Sequence, residues 1–188
     1  MTKLNTTDGK IKVWDPAVRI FHWSLVTLFA LAWVSAEEWD SLHRWSGYVI
    51  AGLVLFRLFW GVVGTRYARF SQFVTGPVKT MIYLKDFFLL KEKPSLGHNP
   101  AGAWMIMGLL FFLLATAGSG WMLEQTAWEA SEWLEEVHEA LAEGMLVLIA
   151  LHVAGVLWAS WRHGENLILS MLHGKKKIAH DQTRENNP

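Results

Sequence analysis

The stretch VHEALAEGMLVLIALHVAGV, residues 137–156, joins a long apolar run to two histidines, His138 and His152. A run of this kind suits a membrane-crossing helix, because about 20 residues at ~1.5 Å each cover the hydrocarbon core. The two histidines are fourteen residues apart, and on an α-helix that spacing returns them to nearly one face, about 21 Å apart along the axis. One helix thus offers two nitrogen ligands at two membrane depths.

Outward from that stretch, long apolar segments bounded by charge recur, giving expected spans at about 18–36, 45–63, 103–122 and 140–161. The composition agrees: of 188 residues, 52% are hydrophobic, only 18% are charged, and twelve are Trp, a residue that collects at membrane interfaces. Formal net charge is zero, so nucleic acid is not an expected partner and the lipid bilayer is. The chain has no Cys, which excludes disulfides, thiolate-held iron–sulfur clusters and haem attached through thioether bonds.

Four crossings place both termini on one side, and the charges choose that side. Lys3, Lys10, Lys12 and Arg19 lie before or at the first span; Arg66, Arg69, Lys79, Lys85, Lys91 and Lys93 lie between the second and third; Arg162, Lys175, Lys176, Lys177 and Arg184 follow the fourth. The opposite loops hold Glu37, Glu38 and Asp40 against Arg44, and Glu124, Glu129, Glu132, Glu135, Glu136 and Glu139 with no basic residue. Lys and Arg are retained in short cytoplasmic segments, so both termini are expected in the cytoplasm. A basic start followed by an apolar run and Val34-Ser35-Ala36 imitates a signal peptide. Cleavage there would discard His22 and split the basic segments between two sides, so the first span is read as retained. Residues 77–91 mix apolar and basic residues in the manner of a surface helix. Residues 1–173 are read as one domain and 174–188 as a polar, disordered cytoplasmic tail.

Four of eight histidines fall at membrane depth: His22, His43, His138 and His152. Ionisable side chains there are costly and point to function. Following the chain through its crossings pairs His43 with His138 on the outer side and His22 with His152 on the inner side. Zinc calls for three or four ligands converging on one point, often with Cys or carboxylate, whereas this pattern supplies two per level. Two stacked bis-histidine haem sites in an all-α, four-helix membrane bundle fit the pattern. Gly47, Ala51 and Val54 follow His43 down its helix, and Ala142 and Met145 follow His138; small residues there leave room for a ring edge, and they also serve ordinary helix packing. Arg57 lies fourteen residues beyond His43, on the same face one level further in, where it is read as the partner of an inner-haem propionate or as a snorkelling side chain. His98, in Gly97-His98-Asn99-Pro100, is read as a turn residue near a propionate or quinone. His163, His173 and His180 are placed in cytoplasmic loop or tail.

The motifs VWDPAVRIFHW (13–23), LHRWSGY (42–48), RLFWGVVG (57–64), ARF (68–70), LGHNPAGAWM (96–105), VHEALAE (137–143) and LHVAGV (151–156) together resemble the bacterial cytochrome b561 and nickel-hydrogenase b-type cytochrome family. The resemblance spares only the first dozen residues and the tail. It implies four membrane helices around two b haems, with ligands at His22, His43, His138 and His152. It also implies electron exchange between quinones and a partner such as a hydrogenase, a formate dehydrogenase subunit or a c-type cytochrome, in a respiratory chain of the bacterial inner membrane. Hydrogenase-type members often carry an additional helix that this sequence lacks. The outer glutamates favour a basic c-type cytochrome as partner. The alternative activity implied by the family is a superoxide oxidase that reduces ubiquinone, for which Arg44 beside His43 is the local positive charge. A third class, histidines that carry protons or metal ions without redox chemistry, predicts a colourless protein.

Overall fold

The computed structural model describes residues 6–7, 10–91, 99–128 and 131–177. In chain order the elements are strands β1 (Thr6–Thr7) and β2 (Lys10–Lys12), helices α1 (Pro16–Ser35), α2 (Asp40–Val63), α3 (Phe70–Phe73), α4 (Pro77–Phe88), α5 (Pro100–Leu123), α6 (Glu132–His163) and α7 (Leu167–His173), and strand β3 (Lys175–Lys177). Helices α1, α2, α5 and α6 are each long and apolar enough to cross a membrane, and the chain is an all-α, multi-pass membrane bundle with a small three-stranded sheet at its ends.

Local chemistry sets the helix limits. Asp15 caps α1, its carboxylate accepting from the backbone N–H groups of Ala17 and Val18, with Pro16 as the first helical residue. Asn99 and Pro100 repeat the device at α5. Gly164 and Gly174 end α6 and α7 in the left-handed conformation, at φ 61° and 83°, which suits a residue without Cβ. The described helices overrun the expected spans at the end remote from the termini: α2 starts at Asp40 rather than near 45, and α6 at Glu132 rather than near 140. Carboxylates in the first turn, Asp40 on α2 and Glu132 and Glu135 on α6, sit against the positive pole of the helix. An apolar window cannot register those turns. His138 therefore lies inside α6 rather than ahead of it.

The surface segment expected at 77–91 is helical over Pro77–Phe88 and packs on α5, where the Trp104 indole N–H donates to the Thr75 carbonyl and the Thr80 hydroxyl, both at 3.2 Å. The polar tail departs from expectation over its first residues: β3 pairs antiparallel with β2, Lys10 opposite Lys177 and Lys12 opposite Lys175. Lys176 is buried, 3.6 Å from Glu165 and over the Trp14 ring at 5.8 Å. Burial lowers the pKa of its ammonium and the Glu165 carboxylate opposes that shift. His163 and His173 close α6 and α7, while His98 and His180 lie outside the described residues.

The bundle closes as α1 on α2, α2 on α5 and α5 on α6. Among the described residues α1 and α6 have no comparable close approach. Phe21, Ile50, Val54, Leu110, Leu113 and Met145 form the buried core. Val54 and Met145 are 0% and 1% exposed, and Met145 stands seven residues from both His138 and His152. A packed apolar layer thus separates the two histidine levels.

Candidate cofactor site

At the end remote from the termini, His43 projects from the first turns of α2 and His138 from the second turn of α6. Their ring centres are 6.1 Å apart with planes 78° to each other. His43 Nδ1 lies 2.8 Å from the Ala32 carbonyl of α1. A carbonyl only accepts, so this nitrogen carries a proton and Nε2 is the ring nitrogen left over for a metal. His138 Nδ1 lies 3.0 Å from the Thr116 carbonyl and 3.0 Å from the Ser119 hydroxyl, and Ser119 donates to the same Thr116 carbonyl at 2.9 Å. The same assignment follows. Each imidazole thus has Nδ1 engaged by another helix, which leaves Nε2 as the nitrogen for a metal, as in metal-ligating histidines.

The spacing fits one metal ion between two rings: metal–imidazole bonds of about 2 Å on each side, plus the half-width of each ring, set their centres about 6 Å apart. No group of three or more His, Cys, Asp or Glu side chains converges among the described residues; the donors that do meet here, His43 and His138, are two, which would suit haem iron better than a three- or four-ligand metal site. Gly120 walls the His138 ring; a Cβ there would lie 3.0 Å from its Cε1. Gly47, one turn beyond His43, has open space where a Cβ would stand, in keeping with room for a ring edge. Val54 and Met145 depart from that reading, being filled core positions.

At the terminal end, His22 sits in the second turn of α1 with His152 of α6 within Coulomb range. Trp23 stands edge-on to the His22 ring at 5.1 Å. His22 Nδ1 is buried without a hydrogen-bond partner, so this pair is less firmly oriented than the other. Arg57 is 3% exposed and does not snorkel. One Nη donates to the Ala68 carbonyl at 3.0 Å, the guanidinium lies 4.6 Å above the Phe70 ring, and the other Nη is buried with no partner. That unmatched cationic donor suits a carboxylate such as a propionate. Arg44 is engaged by Asp40 at 3.0 Å and Glu124 at 3.9 Å, and the Tyr48 hydroxyl also donates to Glu124.

Sequence reasoning missed Thr116, Ser119, Gly120 and the Ala32 carbonyl. A Thr-x-x-Ser-Gly run inside an otherwise apolar span, residues 116–120, is the signal that pointed there; a backbone carbonyl leaves none.

The sequence profile of the prokaryotic cytochrome b561 family matches residues 13–174. Two curated relatives are probable Ni/Fe-hydrogenase B-type cytochrome subunits. The one from Rhizobium leguminosarum bv. viciae is 22% identical, with 88% of each chain covered. The one from Bradyrhizobium diazoefficiens is 24% identical over 89% of this chain and 86% of its own. No solved structure matches. With four membrane helices, histidines paired in the bundle and a profile that runs from Val13 to Gly174, the chain belongs to the prokaryotic cytochrome b561 family of membrane b-type cytochromes, which carry electrons on haem.

Proposed function

We propose that this chain holds two b haems, one between His43 and His138 and one between His22 and His152, and relays electrons between a quinone pool and a redox protein at the outer face of a bacterial inner membrane. The observation that carries this reading is the far-end pair: rings 6.1 Å apart, each with Nδ1 held by a neighbouring helix. Haem iron bound in that way supplies a one-electron ferric/ferrous couple. The protein's part is to fix the imidazole orientation, exclude water between the levels and place charge near the ring. Arg57, with its unmatched donor, is assigned to a propionate of the inner haem.

The basic segments support a cytoplasmic location for both termini, which makes His22 and His152 the inner pair. Exposed Glu37, Glu38, Glu132, Glu135, Glu136 and Glu139 crown the opposite end and suit a basic partner such as a c-type cytochrome. The relatives' names make a hydrogenase the other partner class. The superoxide-oxidase alternative is less well supported, because Arg44 is neutralised by Asp40 and Glu124 and the surrounding field repels an anion.

The test is haem content and a reduced-minus-oxidised spectrum of purified protein, with His138→Ala and His152→Ala beside it. Two haems per polypeptide are expected, with His138→Ala losing the outer and His152→Ala the inner. Loss of the same haem from both variants would refute the pairing, and a colourless preparation the function.

A further inference from the structure

The two histidine pairs are braced differently. The outer pair is spanned by α5, which packs on both α2 and α6 and holds His138 through Thr116 and Ser119. The inner pair joins α1 to α6, two helices with almost no close packing between them among the described residues. Besides the route through α2 and α5, a clasp between the chain's two ends joins them. The Val13 and Trp14 backbone N–H groups both donate to the Gly174 carbonyl, at 3.0 and 3.1 Å. The Trp14 indole N–H donates to the Ser170 hydroxyl at 3.1 Å, and the Arg19 guanidinium to the Leu172 carbonyl. Val13 and Ser170 are buried at this joint. Gly174 is its tightest point: φ is 83°, and a Cβ would stand 2.9 Å from Arg19 Nη1 and 3.2 Å from the Trp14 carbonyl.

His22 lies on α1 two turns beyond Trp14 and one beyond Arg19, and His152 lies on α6, whose end turns at Gly164 into α7 with the Leu167 backbone N–H donating to Ser160 Oγ at 3.2 Å. Helices are stiff over such lengths and the turn between α6 and α7 is tied by that bond, so the joining of the two chain ends bears on the separation of the two imidazoles. A metal held by His22 and His152 would tolerate little change in that separation, because bonds to imidazole nitrogen are short and directional.

We propose that the clasp of Trp14, Arg19, Ser170 and Gly174 positions the inner ligand pair, so that opening it releases the inner haem and spares the outer one. This inference rests on the assignment of two haems to the two pairs. Ser170, Trp14 and Gly174 act here as positioning residues through His22 and His152.

The experiment uses the full chain purified with its haem. Gly174→Ala forces a side chain into the closed joint; Trp14→Phe is the milder variant, removing the indole donor and keeping an aromatic plane. Haem per polypeptide and potentiometric titration are read in wild type, in each variant and in each variant combined with His138→Ala or His152→Ala. The expected result is a fall from two haems towards one, the surviving couple being the outer one. In the His138→Ala background the remaining haem is lost, and in the His152→Ala background nothing further changes. Equal loss of both haems, or retention of both in the two variants, would overturn the proposal while leaving the two-haem reading intact. A wild type with fewer than two haems would instead remove the reading on which it rests.

Discussion

Ser119 is a neutral hydroxyl placed to tune the proposed outer haem site without touching it. It sits 3.0 Å from His138 Nδ1 and donates to the carbonyl that His138 also approaches. Acceptors around Nδ1–H make the ring more electron-rich and favour the ferric state. Ser119→Ala is therefore expected to raise the outer-haem potential by at most about 60 mV, the one-electron equivalent of a hydrogen bond worth about 1.5 kcal/mol. Redox titration checks this, and an unmoved outer couple would contradict it. Arg57→Leu acts in the opposite direction on the inner couple, because a positive charge beside the ring favours the reduced form. The same change strips the Ala68 carbonyl of its donor, at a cost of about 1–3 kcal/mol, so a lower inner potential should accompany a lower unfolding temperature. The four histidines and Arg57 stood out in the sequence as candidates because ionisable groups at membrane depth are conspicuous. Their supports did not, since Ala32 and Thr116 contribute carbonyls that every residue possesses.

Among the elements, α2 shows where helix packing is tight and where it is loose. A Cβ on Gly61 would fall 2.0 Å from the Phe70 ring of α3, whereas one on Gly52 would meet nothing within 4 Å. Gly61→Ala should push Phe70 off its seat, disturb the cation above it and cost about 1–3 kcal/mol as an overpacked site. Gly52→Ala should be silent or slightly stabilising by helix propensity. Thermal unfolding in detergent compares them; equal midpoints would mean that α3 is not held against α2. The spans themselves were readable as apolar runs of the right length. Their outer limits were not, because the first turns of α2 and α6 are polar and owe their helicity to carboxylates at the positive pole.

For the whole molecule, charge and topology carry the expectations. If the acidic end docks a basic cytochrome, electron exchange between them should slow several-fold from low to physiological salt, since the Debye length falls from about 30 Å at 0.01 M to about 8 Å at 0.15 M. Stopped-flow rates at several salt concentrations measure this, and a salt-independent rate would remove the docking claim. Bundle architecture followed directly from four apolar runs. The β2–β3 pairing did not, because the two lysines of β2 and the three of β3 carry no periodic signal that they will meet. One further result follows from the septum formed by Val54 and Met145 with their neighbours. Hydrocarbon of that kind lets an electron tunnel and gives a proton no stepping stone. In the proposed relay an electron passing from His43's level to His22's would leave any accompanying proton behind, so that the transfer would generate voltage. Across a full membrane each such charge works against about 2.3 kcal/mol per 100 mV, so a charged membrane should throttle exchange between the levels and an uncoupler should relieve it.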